Sequence, residues 1–175
     1  MTDTKIDHEN LEQFKKDYNY GRLCGQLEAI ALFNCKLDHT YWFSLNRYSK
    51  KEDLKISIEP FFKNDCEGYN LSKIEDPQEY LHKNILDYWF FAYQNTNQYN
   101  LTDEGNSFKL SDLEYKTEFV QDFINLLFDT IKPIGAYTAQ MFGLFGHYGN
   151  GYSNIIFETA ENDKWVYILH FRFFD

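Results

Sequence analysis

The residues best suited to chemistry are five histidines, His8, His39, His82, His147 and His170, and three cysteines, Cys24, Cys35 and Cys66. No two histidines have the i, i+4 spacing with which one helix face grips a metal, and no H-E-x-x-H run occurs. The cysteines are odd in number and lack C-x-x-C spacing, so neither a zinc site nor a disulfide framework is expected. They read as buried thiols in a reducing compartment. As a nucleophile each would need an adjacent base and a basic surround. Cys35, followed by Lys36 and His39, comes closest; Cys24 follows Arg22 at two residues. There is no G-x-S-x-G elbow for a serine hydrolase. His147 stands in the run GHYGNG, where Gly143, Gly146, Gly149 and Gly151 fall within nine residues. It would serve as a general base if Asp163 or Glu158 oriented it. The run is not a dinucleotide fingerprint, which needs a strand before it and a helix after it; the next segment here reads as a strand, and no Lys or Arg lies near. Its ordinary role is a turn that feeds a hairpin.

The other chemistry is charge. Between Ser111 and Pro133, Glu114, Glu118, Asp122 and Asp129 fall within about 80° of a helical wheel. Leu113, Tyr115, Phe119, Val120, Phe123, Ile124, Leu126, Leu127 and Ile131 fill the opposite half. Ser111 and Glu114 have capping-box spacing, and Pro133 stops the helix after Ile131. Like charges at i, i+4 weaken an isolated helix by roughly 0.2–0.5 kcal/mol per pair, so local stability does not ask for this stripe. It is either the solvated face of an acidic protein or a docking face for a cationic one, with the loop tyrosines Tyr99, Tyr148 and Tyr152 as aromatic anchors.

The totals point the same way. In 175 residues there are 27 acids and 17 Lys plus Arg, a formal charge of −10. That balance argues against nucleic acid and anionic membranes as partners, since both need clustered basic groups. It permits a basic protein, whose association a negative surface accelerates. Length and a 43% hydrophobic content suit one domain, residues 1–175, with a core of its own. Aromatic residues make up 19%, so the core must be largely ring-packed. No apolar stretch of signal-peptide type opens MTDTKIDHENLEQFKKDY, and no run reaches the ~18 apolar residues of a membrane span. A cytoplasmic location is expected, with no cofactor and no metal.

The elements that must position these residues follow from periodicity. Asp7–Tyr18, with Leu11, Phe14 and Tyr18 on one side, reads as a short helix; Asn19-Tyr20-Gly21 breaks it, and Arg22–Asn34 forms a second. Lys36–Lys51 has no clean period. Leu54, Ile56 and Ile58 alternate with polar residues as a half-buried strand that Pro60 ends, and Phe61–Glu75 reads as a loop turning at Gly68 and Asn70. Asp76-Pro77-Gln78-Glu79 opens a helix reaching about Gln94, whose apolar end, Trp89–Tyr93, is deeply packed or faces a partner or ligand. Residues 95–107 are polar and turn-rich. Ile134–Gly146 reads as a strand or a buried irregular segment. Asn154–Thr159 and Trp165–Phe174 form a β-hairpin, with Trp165, Tyr167, Leu169, Phe171 and Phe173 on one face and Val166, Ile168, His170, Arg172 and Phe174 on the other. The order implies an α+β fold, an antiparallel sheet covered by about four helices.

In general character the chain resembles the immunity proteins of bacterial toxin–immunity systems, including contact-dependent growth inhibition. The resemblance lies in the charge, the aromatic content, the acidic face Glu114–Asp129 and the closing NIIFET…YILHFRFFD hairpin. Such proteins share no residue motif, so no functional residue carries over. The resemblance implies a non-enzymatic protein that neutralises one cognate basic toxin, often a nuclease, by blocking its active site. The partner-binding residues expected are Glu114, Glu118, Asp122, Asp129, Tyr148 and Tyr152. The alternative is a small enzyme or ligand-binding domain using the loop around His147 or an aromatic pocket near Trp89–Tyr93. The oligomeric state stays open.

Overall fold

The chain folds around five antiparallel strands in the order β1-β5-β4-β3-β2, with helices on both faces, an α+β architecture. The computed structural model describes residues 8–35, 40–85, 89–90, 113–145 and 151–174. Helix α1 (His8–Asn34) leads into β1 (Thr40–Ser49), then α2 (Leu54–Phe62), β2 (Cys66–Lys73), α3 (Pro77–Asn84), α4 (Leu113–Ile131), β3 (Pro133–Leu144), β4 (Gly151–Thr159) and β5 (Trp165–Phe174). Strands β3, β4 and β5 form a meander, and β4 and β5 are the expected hairpin.

Each face of the sheet has its own core. On one face Phe43, Leu45, Ile155, Phe157, Tyr167, Leu169 and Phe171 meet Leu23 and Leu27 of α1, Leu81 of α3, and Val120, Phe123, Ile124, Leu127 and Ile131 of α4. The centre of this core is aromatic. Phe171 packs edge-on to Phe43 at 5.1 Å and stacks on Trp89 at 5.3 Å, while Phe90 reaches Phe123 of α4 at 5.0 Å. On the other face Ile156, Val166, Ile168, Ala139 and Met141 meet Ile58 and Phe62 of α2. The alternation in β5 assigns its two sets of side chains to the two cores as the period requires.

Helix α4 carries its apolar half inward as expected and ends at Ile131; Lys132 takes φ 50° and Pro133 starts β3. Its first turn is described only in backbone, so the Ser111–Glu114 capping box lies outside the described residues. Asp76 caps α3 by accepting the Glu79 N–H at 3.0 Å, with Pro77 in the first turn. Helix α3 is described over Pro77–Asn84, and the Phe90 N–H bonds the Ile85 carbonyl at 3.0 Å; residues 86–88 and 91–94 of the expected helix lie outside the described residues.

Three expectations are corrected. The proposed pair of N-terminal helices is one helix of 27 residues. Gly21 and Gly25 break nothing, because they face open space and the burial of Leu23, Leu27 and Ala31 outweighs their helix cost of ~1 kcal/mol each. In its N-terminal half Leu11, Phe14 and Tyr18 are exposed, while Lys16 and Asp17 tie the helix to Asp163 and Arg47. Residues 54–62 are helical, not extended. Asp53 accepts the N–H groups of Lys55 and Ile56, and the helical repeat puts Leu54, Ile58, Phe61 and Phe62 on the sheet; Ile56, which a strand would have buried beside them, is exposed. The supposed loop 61–75 holds edge strand β2, whose residues pair with β3 from Cys66 to Lys73.

Two glycines in these strands carry a cross-strand ring. Gly68 faces Phe142, and Gly151 faces Phe173; a Cβ would fall 2.4 Å from the first ring and 2.3 Å from the second. Phe142 is half exposed and free to swing, whereas Phe173 is packed near Tyr41 and Trp89. Gly151→Ala is therefore expected to destabilise by about 1 kcal/mol or more in a urea titration, and Gly68→Ala by less. Equal costs would show that the Phe173 ring is not held.

Candidate functional site

The acidic stripe is exposed where its side chains are described. Glu118, Asp122 and Asp129 all face solvent on α4, opposite the buried row Val120, Phe123, Ile124 and Leu127. Burial of that row fixes the rotation of the helix, so the acids cannot turn inward without unpacking the core. Glu114 lies on the same helix, in the turn described only in backbone.

The stripe divides into two settings. Around Gln121, which sits between Glu118 and Asp122 on the helix face, α4 borders a cleft of about 590 Å³ lined also by Glu75, Asp76, Glu79 and His82 at the start of α3. Among the described residues none of Glu79, Glu118 and Asp122 has an ion-pair partner; Glu75 has only a 3.9 Å approach to Lys73 between two exposed side chains. Asp129, one to two turns further on, instead lines a groove of about 490 Å³ with Lys15, Lys16, Lys132 and Asp163. One end of the stripe thus borders the acids of α3, which share a second groove with Lys73 and Lys83, and the other is interleaved with Lys15, Lys16 and Lys132. Sequence reading missed the α3 contribution because those acids are recognisable as a helix cap, while their neighbour is set by tertiary packing.

Tyr152, the described one of the tyrosines expected to accompany the acids, does not lie beside them. Tyr152 lies on β4 on the opposite face of the sheet, packed against the α2 core, with its hydroxyl donating to the Met141 carbonyl at 3.3 Å. Tyr148, Tyr99 and His147 lie outside the described residues. Asp163 and Glu158, the carboxylates considered for His147, are otherwise engaged: Asp163 with Lys16 and the Trp165 N–H, Glu158 with the Tyr137 hydroxyl. Glu158 is also seven residues along β4 from Gly151, about 23 Å of extended chain.

The thiols are engaged too. Cys35 Sγ accepts the Tyr41 N–H at 3.1 Å, Cys24 lies 3.7 Å from the Leu45 carbonyl, and Cys66 is buried against the Phe62 carbonyl. Burial pushes the Cys24 and Cys66 thiols up, which lowers the thiolate available for attack. His39 lies outside the described residues. Trp89, a member of the supposed aromatic pocket, is buried in the ring cluster, and that part of the chain is core where it is described.

A polar row crosses the α2 face of the sheet beyond the end of α2. His170, Ser44 and Asn154 are neighbours on adjacent strands, and His170 Nδ1 lies 2.6 Å from Asn154 Oδ1. Burial, with help from the Arg172 guanidinium, pushes His170 down to about 4, so the ring is neutral and donates to the amide oxygen. Asn154 is 2% exposed, and its amide nitrogen has no partner among the described residues. The row behaves as buried polar structure, with Phe61 closing over the imidazole at 5.3 Å.

Among the described residues no group of His, Cys, Asp and Glu could hold a metal ion, and no helix is long and apolar enough to cross a membrane. No protein-family model, curated protein or solved structure matches the chain.

Proposed function

We propose that the chain is a protein-binding inhibitor of the immunity type, which docks the acidic surface of α3 and α4 on a basic toxin and covers the toxin's active site. The observation that carries this reading is that Glu79, Glu118 and Asp122, which have no ion-pair partner among the described residues, are exposed on helices whose other sides are locked in the core. Glu118 and Asp122, like charges at i, i+4 on α4, are a local cost to the helix, and a cationic partner offsets that cost. On a nuclease the carboxylates would occupy positions where phosphates otherwise sit, and attraction would speed encounter more than it deepens affinity.

The test is affinity capture from native lysate at low and high salt, with wild type and the Glu118→Lys/Asp122→Lys variant, read by mass spectrometry. Wild type is expected to retain one stoichiometric basic protein, with an association rate that falls as salt rises. The variant should associate about ten- to a hundredfold more slowly while keeping its melting temperature. Capture unchanged by the double reversal would remove α4 from the interface, and capture of no protein at either salt would remove the inhibitor reading.

A further inference from the structure

Strand β1 is an edge of the sheet, and its backbone groups divide by parity. The Lys50 N–H bonds the Lys164 carbonyl, which turns even-numbered residues toward β5 and leaves the N–H and C=O groups of odd-numbered residues pointing outward. Helix α1 seals that outer edge at two places. At one, the Tyr41 N–H bonds Cys35 Sγ at 3.1 Å. At the other, the Tyr20 hydroxyl donates to the Leu45 carbonyl at 2.8 Å, with Cys24 Sγ 3.7 Å from the same oxygen. Between these anchors the Phe43 N–H, the Phe43 C=O and the Leu45 N–H follow one another along the edge. Among the described residues no hydrogen bond reaches any of the three. The row faces a groove of about 410 Å³, lined by Cys24, Glu28, Ala31 and Leu32 of α1 and by the edge of β1. Leu32 and Trp42 are its exposed apolar walls, at 61% and 62%. Glu28 is the one charged side chain in the lining, and it has no ion-pair partner among the described residues. Unbonded backbone groups on the floor of an apolar groove call for a partner.

We infer that this groove binds a short extended peptide, about three residues long, with a basic side chain at its centre. The backbone row reads donor, acceptor, donor, and an extended chain laid antiparallel to β1 matches it in order. The residue opposite Phe43 turns both its C=O and its N–H to Phe43, and the carbonyl two residues before it takes the Leu45 N–H. The anchors set the length. Tyr41 and Leu45 are about 14 Å apart along the strand, and a longer chain would run into Cys35 or Tyr20. The volume lies in the range of roughly 300–1,000 Å³ that small ligands occupy. Charge selects the central side chain. Residues directly opposed on neighbouring strands point to the same face, so the one opposite Phe43 points to the side that α1 covers, where Glu28 lies. Its two neighbours point to the other side, where an apolar side chain packs on the Trp42 ring. None of the lining residues belongs to α3 or α4, so the groove stands or falls independently of toxin binding.

The probe is acetyl-Val-Lys-Val-amide, titrated to about 10 mM into the nitrogen-15-labelled full chain and followed by NMR. The Phe43 and Leu45 amide signals are expected to move downfield together and to saturate, because both donors gain an acceptor. The same peptide N-methylated at its lysine cannot donate to the Phe43 carbonyl and should bind about tenfold or more weakly. Glu28→Lys, a change at an exposed helix position, should weaken the unmodified peptide about threefold or more at an unchanged melting temperature. Phe43 and Leu45 signals that stay still across the titration overturn the proposal. So does binding that N-methylation leaves unchanged, or that Glu28→Lys leaves unchanged.

Discussion

Phe171→Ala is expected to remove about 3–5 kcal/mol of stability, a large part of the 5–15 kcal/mol a domain of this size holds. Phe171 is fully buried, and its ring meets Phe43, Trp89 and Phe90; Phe90 in turn packs on Phe119 and Phe123 of α4. Truncation leaves a void that rigid rings cannot close by small rotamer changes. Trp42→Ala on the adjacent strand is the control: it removes a larger side chain but one that is 62% exposed, so it should cost within about 0.5 kcal/mol. Chemical denaturation of the three proteins decides the matter. A Phe171→Ala cost below about 2 kcal/mol would mean that the aromatic cluster does not seat α4, and that the placement of the acidic face rests on other contacts.

Acidification is the second large effect. An unfolded chain protonates His170 near the ordinary imidazole value of 6.5, but the folded chain resists until about pH 4. The folded value is the lower one, so the unfolded state binds more protons between these limits. Stability from this group is complete above pH 6.5 and declines as pH falls toward 4. Between pH 7 and 4.5 the loss should be about 2 kcal/mol, from a 1.36 kcal/mol equivalence per unit. Urea midpoints at pH 7, 5.5 and 4.5 for wild type and His170→Gln isolate it, since the carboxylates are common to both. The variant's profile should be flatter by that amount. Parallel profiles would show that His170 charges freely in the folded state and that burial does not hold it neutral.

Where the sequence has one strong period, the fold was legible. Helix α4, the β4–β5 hairpin and the Asp76-Pro77 helix start each carry a cap or alternation that no competing pattern contradicts, and the α+β class followed from them. The misread segments are those where two local signals compete. Leu54, Ile56 and Ile58 alternate as a strand, but the Asp53 cap and the helical stripe through Phe62 prevail once there is a sheet to pack on. Asn19-Tyr20-Gly21 resembles a break, yet helix continues because Leu23 and Leu27 hold it against the sheet. Strand β2 reads CEGYNLSK and has no alternation, because one side is a solvent edge and Gly68 leaves its side-chain space to a ring from β3. For the candidate site, the acidic arc on α4 was visible as a wheel pattern. Its junction with Glu75, Asp76 and Glu79, and the placement of Tyr152 on the far side of the sheet, depend on strand order, which no local pattern encodes.

That strand order also governs when the molecule can assemble. β5, the last element described, lies second in the sheet, between β1 and β4, and every residue of β1 finds its partner more than a hundred positions later in the chain. During synthesis α1 and β1 emerge first with nothing to pair with, and their apolar faces must wait. The β3–β4–β5 meander closes its contacts over short loops and is the natural nucleus, with α4 next to it in sequence. The long loop closure that docks β1 on β5 comes afterwards. Among the described elements, folding is therefore expected to start in β3–β5 and to reach α1 and β1 last. The edge that α1 seals is the one completed by the longest-range strand pairing of the sheet.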